Sequence, residues 1–468
     1  MKKVILFILI SLVYFQSNAQ EYINEIIITG NTKTKDYVIL REVSFKEKKS
    51  YKTDVLDKKI KASQNNLINL KLFNFVEIKK INTGDVLKIS ITVVEKWYIW
   101  PYPILEISER NFNTWWQEFS ESNYSDFSKL DYGVFLKWEN FRGRNELLRL
   151  KIRKGFNEHY LLGYYMPYLN KKKTIGLNIK MDFFRRKETF YKTENNTLIY
   201  YKKNNLYTSK DYKATLDFIY RKGIHKKHTL KFNYFHSIIA DSISILNPNY
   251  LQNNQNIGSF YKISYEFKND HRDYIIYPLE GYLLSFSSSK YLPALSPINH
   301  LEFKTKAEKY IKVSDHFYLG SSFFAKLSSE ENQAYFIKER GFGFRDYVRG
   351  YEYYVVDGQH YWISRTAVRY ALVEKFKFEI PYIKMSQFKK SHHSVYLGIF
   401  SDMGYIYDLP NAETNPLQKK LLWGKGISLD YLTYYDKLLR IEYSINHLGE
   451  KGVFLHFSNP FGHQKDKL

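Results

Sequence analysis

The sequence predicts a mainly β protein: an antiparallel, membrane-spanning β-barrel of sixteen strands, preceded by a small α+β domain. Three observations carry this. The 468-residue chain holds 43 Tyr and 34 Phe against 11 Pro. After Trp97 it breaks into short segments of about ten residues in which apolar and polar side chains alternate, the weak per-segment pattern of a barrel with an apolar outer face. That alternation keeps the mean hydropathy at −0.46, although the chain is read as a membrane protein.

The chain opens Met1-Lys2-Lys3, runs through an apolar Val4–Phe15 and reaches Ser17-Asn18-Ala19 before Gln20. A short basic start, an apolar core and small residues before a cut read as an export signal over residues 1–19. The run is shorter than the about 20 apolar residues that a spanning helix needs. There is no cysteine, which excludes a lipid-anchored lipoprotein, a disulfide scaffold and a thiolate metal site. The formal charge of +23 suits lumen walls and surfaces near anionic lipid headgroups. Nucleic acid also attracts basic chains, and an export signal argues against that partner.

Residues 20–96 read as one small domain. Ile23, Ile26 and Ile28 mark a strand that closes on the turn dipeptide Gly30-Asn31. Lys35–Val43 suits a short helix. Thr53 is expected to cap a second helix, with Val55, Leu56, Ile60, Ala62, Leu67 and Leu70 at helical spacing. Leu72–Ile81 and Gly84–Trp97 follow as strands, the second turning Leu87, Ile89, Ile91 and Val93 inward. One sheet face covered by two helices is enough for a small core. The segments ITGNTKT (Ile28–Thr34), LFNFVEI (Leu72–Ile78) and ISITVVEK (Ile89–Lys96) resemble a POTRA domain, the periplasmic module of polypeptide-transport proteins. The resemblance implies client capture by strand addition at an exposed sheet edge.

Residues 97–468 read as the barrel. The strand-like segments number between fifteen and seventeen, and hairpin closure favours an even count, hence sixteen. Closure itself is required because lipid offers no water to satisfy a free sheet edge. The seam between first and last strands is expected near Tyr102–Ile107 and Val453–Phe457.

One interval breaks the alternation. Residues 329–358, about 30 in number, are too long for an ordinary connection, and irregular loops of this length are usually functional or disordered. Gly341, Gly343, Gly350 and Gly358 let it fold compactly. Within it lies YVRGYE (Tyr347–Glu352), and further on FSDMG (Phe400–Gly404) interrupts a strand with an acid. The chain ends on EKGVFLHF (Glu450–Phe457), with Phe461 close behind.

These three motifs, in this order, resemble those of the BamA/TamA family of outer-membrane proteins, which includes FhaC-type secretion pores. The resemblance covers the whole chain after the export signal. It implies that Val348, Arg349, Gly350 and Tyr351 form the tip of a loop tethered inside the barrel. Arg349 would meet the inward-facing Asp402, with Phe400 and Gly404 framing that acid. A planar guanidinium forks onto a carboxylate, which suits the pairing. Glu450, Gly452, Leu455 and Phe457 would form the last-strand signal read during barrel assembly. In one respect the chain departs from its relatives, which often carry a second acid in the strand after the loop. Here Ala367 stands at that place between Arg365 and Arg369, leaving Glu352 as a candidate substitute or Asp402 as the sole acid.

No nucleophile elbow, phosphate loop or zinc-protease motif is present, and Gly341–Phe344 lacks the third glycine of a nucleotide fingerprint. His392-His393 read as surface residues. The expectation is a non-enzymatic protein with no catalytic residue, metal or cofactor. The resemblance implies a factor that inserts or translocates polypeptides at the bacterial outer membrane, with residues 20–96 in the periplasm. A single POTRA-like domain, and no room for a plug helix after the export signal, favour an accessory or specialised member. Its partners would be unfolded outer-membrane or secreted clients, outer-membrane lipid and periplasmic accessory proteins, without nucleic acid. A two-partner secretion translocator and a passive pore or surface receptor remain the alternatives.

Overall fold

The computed structural model describes residues 20–84, 86–107, 112–127, 129–203, 206–329, 341–343, 346–407, 415–433 and 437–458. The export-signal reading, Phe461, Arg345 and part of the long loop lie outside them. The chain divides after Glu95 into two compact units.

The first unit comprises β1 (Gln20–Thr29), α1 (Asp36–Leu40), β2 (Lys49–Lys52), α2 (Thr53–Asn69), β3 (Phe73–Thr83) and β4 (Val86–Glu95). Its sheet runs β2-β1-β4-β3. The central strand β4 buries Leu87, Ile89, Ile91 and Val93, and Ile23, Leu56, Leu67 and Val76 complete the core. The turn after β1 requires its glycine. Gly30 has φ +86°, and a Cβ there would lie 2.0 Å from the Val93 carbonyl oxygen. Asn31 donates from Nδ2 to the Thr34 carbonyl at 2.9 Å and to Asp36 at 2.6 Å. Glu95, at the far end of β4, accepts from the Lys33 and Thr34 amides and from the Thr32 and Thr34 hydroxyls. Two of the three POTRA-like segments therefore meet in one carboxylate.

Two details of this unit differ from expectation. The short edge strand β2 was not foreseen; it pairs antiparallel with β1, matching Lys52 with Gln20. That pairing keeps Lys52 extended, so Lys52 stands at the N-cap of α2 without a side-chain cap bond, and Thr53 is already helical.

The second unit begins with β5 (Ile99–Ile107), α3 (Phe112–Glu121), β6 (Leu130–Phe141), β7 (Glu146–Gly155), β8 (Asn157–Met166) and β9 (Ile175–Arg186). Next come β10 (Glu188–Glu194), β11 (Thr197–Lys202), β12 (Ser209–Tyr220), β13 (Lys226–Ile239), α4 (Asp241–Leu246) and β14 (Ile257–Asp270). Then follow β15 (Gly281–Pro293), β16 (Leu301–Lys312), β17 (Phe317–Ser328) and β18 (His360–Glu379). The chain closes with α5 (Ser386–Lys389), β19 (Lys390–Tyr407), β20 (Leu421–Thr433), β21 (Lys437–Asn446) and β22 (Lys451–Ser458). All of these strands except β10 and β11 join one 16-stranded antiparallel sheet in sequence order, from β5 at one edge to β22 at the other.

The sheet is a membrane barrel turned inside out relative to a soluble core. On β20, Leu421, Trp423, Ile427 and Leu429 are exposed, while Ser428 and Asp430, on either side of Leu429, are buried. The same holds on β21 and β22, where Ile441, Tyr443, Val453 and Phe457 face out and Glu442 and Phe454 face in. Apolar residues outside and charges inside are what lipid demands of a spanning strand. No helix among the described residues is long and apolar enough to cross a membrane.

Contacts between distant strands roll the sheet. Tyr277, between β14 and β15, donates to Asp430 on β20 at 2.7 Å. The β10–β11 hairpin, unforeseen in the sequence, crosses one mouth of the barrel. At its tip the Asn196 amide donates to Asn415 Oδ1 at 2.9 Å, the Leu417 amide to Asn196 Oδ1 at 3.1 Å, and the Val355 amide to the Asn196 carbonyl at 2.7 Å.

The seam lies where it was expected, between β5 and β22. Among the described residues no backbone ladder joins those edges. Pro101 and Pro103 carry no N–H, and proline in a sheet belongs to an edge. Asn113 at the start of α3 bridges instead. The Leu455 amide donates to Asn113 Oδ1 at 3.3 Å, and Asn113 Nδ2 donates to the Leu455 carbonyl at 3.5 Å.

Candidate functional site: a guanidinium held in the barrel lumen

The described part of the loop between β17 and β18 turns into the lumen and rests on the inner faces of β19, β20 and β21. Its entry is apolar. Phe342, Val348, Tyr351 and Val356 bury themselves with Tyr361, Ile363, Ile406, Leu417 and Leu422 of the wall. Two glycines of the wall make room. A Cβ on Gly404 would lie 2.6 Å from Val348 Cγ2, and one on Gly424 would lie 1.7 Å from the Arg349 carbonyl oxygen. Gly350 has φ +92°, which reverses the chain at the tip, and its carbonyl accepts from Asn446 Nδ2 at 2.9 Å.

This packing aims Arg349 at β19. Its Nε donates to Asp402 Oδ2 at 2.7 Å and its Nη2 to Asp402 Oδ1 at 2.6 Å. The third arm, Nη1, donates to Glu442 Oε1 on β21 at 3.2 Å. The guanidinium carbon sits 3.7 Å over the centre of the Phe400 ring. Asp402 and Glu442 are fully buried, so the arginine forks onto one acid, touches a second and stacks on an aromatic face, all away from bulk water. Removing one partner of such a pair strands a buried charge and costs about 3–5 kcal/mol.

The second acid is Glu442, which corrects both alternatives left by the sequence, Glu352 as a substitute and Asp402 as the sole acid. Glu352 Oε2 instead accepts the Gly350 amide within the loop at 2.9 Å. The reason is topological: β21 lies two strands beyond β19, and its inward face meets the loop tip from the far side of Asp402. Ala367 faces the lumen opposite Phe400 in the β18–β19 register and makes no part of the anchor.

A third layer lies behind the pair. His456 on β22 is 3.0 Å from Glu442 and 3.7 Å from Glu352 through Nε2, and its ring stacks on Tyr347. Glu352, Glu442 and His456 present ligand atoms within 4.8 Å of one another; the imidazole between the two carboxylates accounts for that grouping as ion pairing. Tyr351 bonds His447 and the Trp423 carbonyl, and Tyr354 donates to Glu450 at 2.7 Å. Glu450 therefore sits in the turn before β22 and is tied to the loop, while Gly452 lies within the strand and Leu455 and Phe457 belong to its outward face.

Glu442 and His456 were not singled out in the sequence. Each is a polar residue between two apolar ones, Ile441 and Tyr443 in one case and Leu455 and Phe457 in the other. That spacing marks them as inward-facing but names no partner.

The family model described as an Omp85 superfamily domain matches residues 140–446. The POTRA model, described as a surface antigen variable number repeat, matches residues 21–96. No curated protein matches the sequence. Among solved structures the chain is similar to BamA from Haemophilus ducreyi lacking POTRA domains 1–3, with TM-score 0.53 and 14% identity over 94% of this chain and 84% of that one. It is also similar to CdiB from Escherichia coli, with TM-score 0.52 and 11% identity over 93% of this chain and 75% of that one. At these identities the likeness is one of fold.

Proposed function

The chain belongs to the Omp85 superfamily, and from that premise we propose that it inserts polypeptides into the bacterial outer membrane or passes them across it. The observation that carries this reading is the seam. The last strand, β22, offers an edge with no strand partner among the described residues, beside a lumen loop pinned by Arg349. Such an edge can template a client strand through main-chain hydrogen bonds, which tolerate varied side chains. The POTRA unit has two sheet edges of its own, β2 and β3, where an unfolded client can dock in the periplasm. The client's own folding then supplies the driving force, and neither nucleotide nor metal is needed; the protein is not an enzyme in this reading. An accessory or specialised client range is its finer form, with outer-membrane lipid and periplasmic accessory proteins as further partners.

Reconstitution tests it. Liposomes containing the protein should accelerate the folding of an outer-membrane barrel client, and crosslinkers at Tyr51 on β2 and at Val453 on β22 should capture that client. Ion conduction without acceleration or crosslinks would leave a passive pore, and capture of a client that crosses without inserting would favour a secretion translocator.

A further inference from the structure

The inner wall carries a basic patch beside the loop anchor. Along β18 the lumen face reads Arg365, Ala367, Arg369. The register sets Ala367 opposite Gly320 on β17 and Phe400 on β19. The Tyr310 ring lies over Gly320, and beside the small Ala367 opens a cavity of about 190 Å³ bordered by five cations, Lys306, Arg349, Arg365, Arg369 and Arg440, and one acid, Glu308. One water needs only about 10–15 Å³ of such space.

Charge around this cavity is unevenly matched. Arg349 has Asp402 and Glu442, and Arg440 has Asp430 at 2.6 Å. Lys306 pairs with Glu308 at 2.6 Å, an acid that Arg272 also engages at 2.9 Å. Arg365 instead donates to the Tyr347 carbonyl at 2.6 Å. Its ion pair is with Asp402 at 3.8 Å, an acid already forked by Arg349. Arg369 donates to the Pro278 carbonyl at 3.1 Å and stacks over Tyr277; among the described residues it has no ion pair. A guanidinium carries five N–H donors in a planar fork that matches carboxylate and phosphate oxygens. Arg365 and Arg369 therefore flank a hole with donors to spare, Arg365 only sharing Asp402 with Arg349 at 3.8 Å.

We propose that this cavity binds a small oxyanion of the phosphate class, held between Arg365 and Arg369 over Ala367. The anion would take up the spare donors of both arginines and would brace β18 against β17. The same chemistry could arrive as free phosphate or as the phosphoryl headgroup of a lipid.

The test is calorimetric titration of inorganic phosphate into the full chain, in a detergent without phosphate, with chloride at matched ionic strength as control. One saturable site per chain is expected. Arg369→Gln should weaken it about tenfold or more, since a charge-assisted bond is lost. Ala367→Glu should abolish it by placing a tethered carboxylate in the hole. Absence of saturable phosphate binding overturns the proposal, as does phosphate binding as tightly to both variants as to the native chain. Should Ala367→Glu fail to fold, Arg369→Gln alone decides, because it alters one side chain that spends only one bond on a carbonyl. Micelles doped with a phosphomonoester lipid then identify the source. Competition with inorganic phosphate supports the proposal with a headgroup as ligand, and undisturbed phosphate binding supports it with the free anion.

Discussion

Replacing Arg349 and Asp402 singly and together interrogates the loop anchor directly. The guanidinium gives Asp402 two bonds of 2.6 and 2.7 Å and Glu442 a third of 3.2 Å. Arg349→Ala would leave both carboxylates buried. Asp402 would then keep the amide of residue 349 at 3.4 Å and Arg365 at 3.8 Å, whereas Glu442 would keep His456 at 3.0 Å and Arg440 at 3.7 Å. Either alanine variant should cost about 3–5 kcal/mol of loop anchoring. The double variant should cost about as much as one of them, because both break the same contact. Glu442→Gln should cost less, about 1–3 kcal/mol of loop anchoring, since it takes the charge from the one bond that Glu442 accepts from Arg349 and leaves the fork onto Asp402 intact. Arg349→Lys should restore little, as an ammonium cannot fork onto Asp402. The readout is amide exchange at Phe342, Val355 and Val356, whose N–H groups are bonded within the docked loop and to the hairpin tip. A loss of 3–5 kcal/mol corresponds to exchange about a hundredfold faster or more. If the single costs sum in the double variant to within about 0.5 kcal/mol, or if Arg349→Lys exchanges like the native chain, the pinned-loop argument is refuted.

Other consequences are open to simpler checks. Gly424→Ala would put a methyl 1.7 Å from the Arg349 carbonyl oxygen and should expel the loop without unfolding the barrel. A Val348→Cys probe, in a chain that has no cysteine of its own, should then become open to maleimide. Gly30→Ala forces a side chain at φ +86° against Val93 and should destabilise the first unit by about 1–3 kcal/mol, seen as faster exchange along β4 in the intact protein. Asn196→Ala with Asn415→Ala removes the side-chain bonds that hold the β10–β11 hairpin tip across the barrel mouth and should raise single-channel conductance; an unchanged conductance would mean that the hairpin does not obstruct the mouth. Asn113→Ala should speed exchange of the Leu455 amide by about tenfold, the effect of one lost hydrogen bond of about 1–1.5 kcal/mol.

The sequence by itself determined the architecture, because alternation has a period that lipid enforces locally. A spanning strand must place apolar residues outward and polar ones inward at every step, so sixteen strands and the inward faces of Arg349's wall could be read without coordinates. The glycine at position 30 was legible for a similar reason, since a turn is local; the Glu95 carboxylate, which accepts the Thr34 amide from 61 residues away, was not singled out. The fork onto Asp402 was anticipated only through the resemblance of the loop and strand motifs to those of the family. Tertiary structure decided what crosses the lumen. Which inward residue of β21 meets the loop tip depends on barrel curvature and strand register, so Glu442 rather than Glu352 became the second acid. His456 joined it for the same reason. The β10–β11 lid was hidden because its contacts to Val355 and Asn415 join segments about 160 and 220 residues apart, a separation at which no periodicity carries information. Period 2 tells a strand which way each side chain points; only the closing of the sheet tells it what stands opposite.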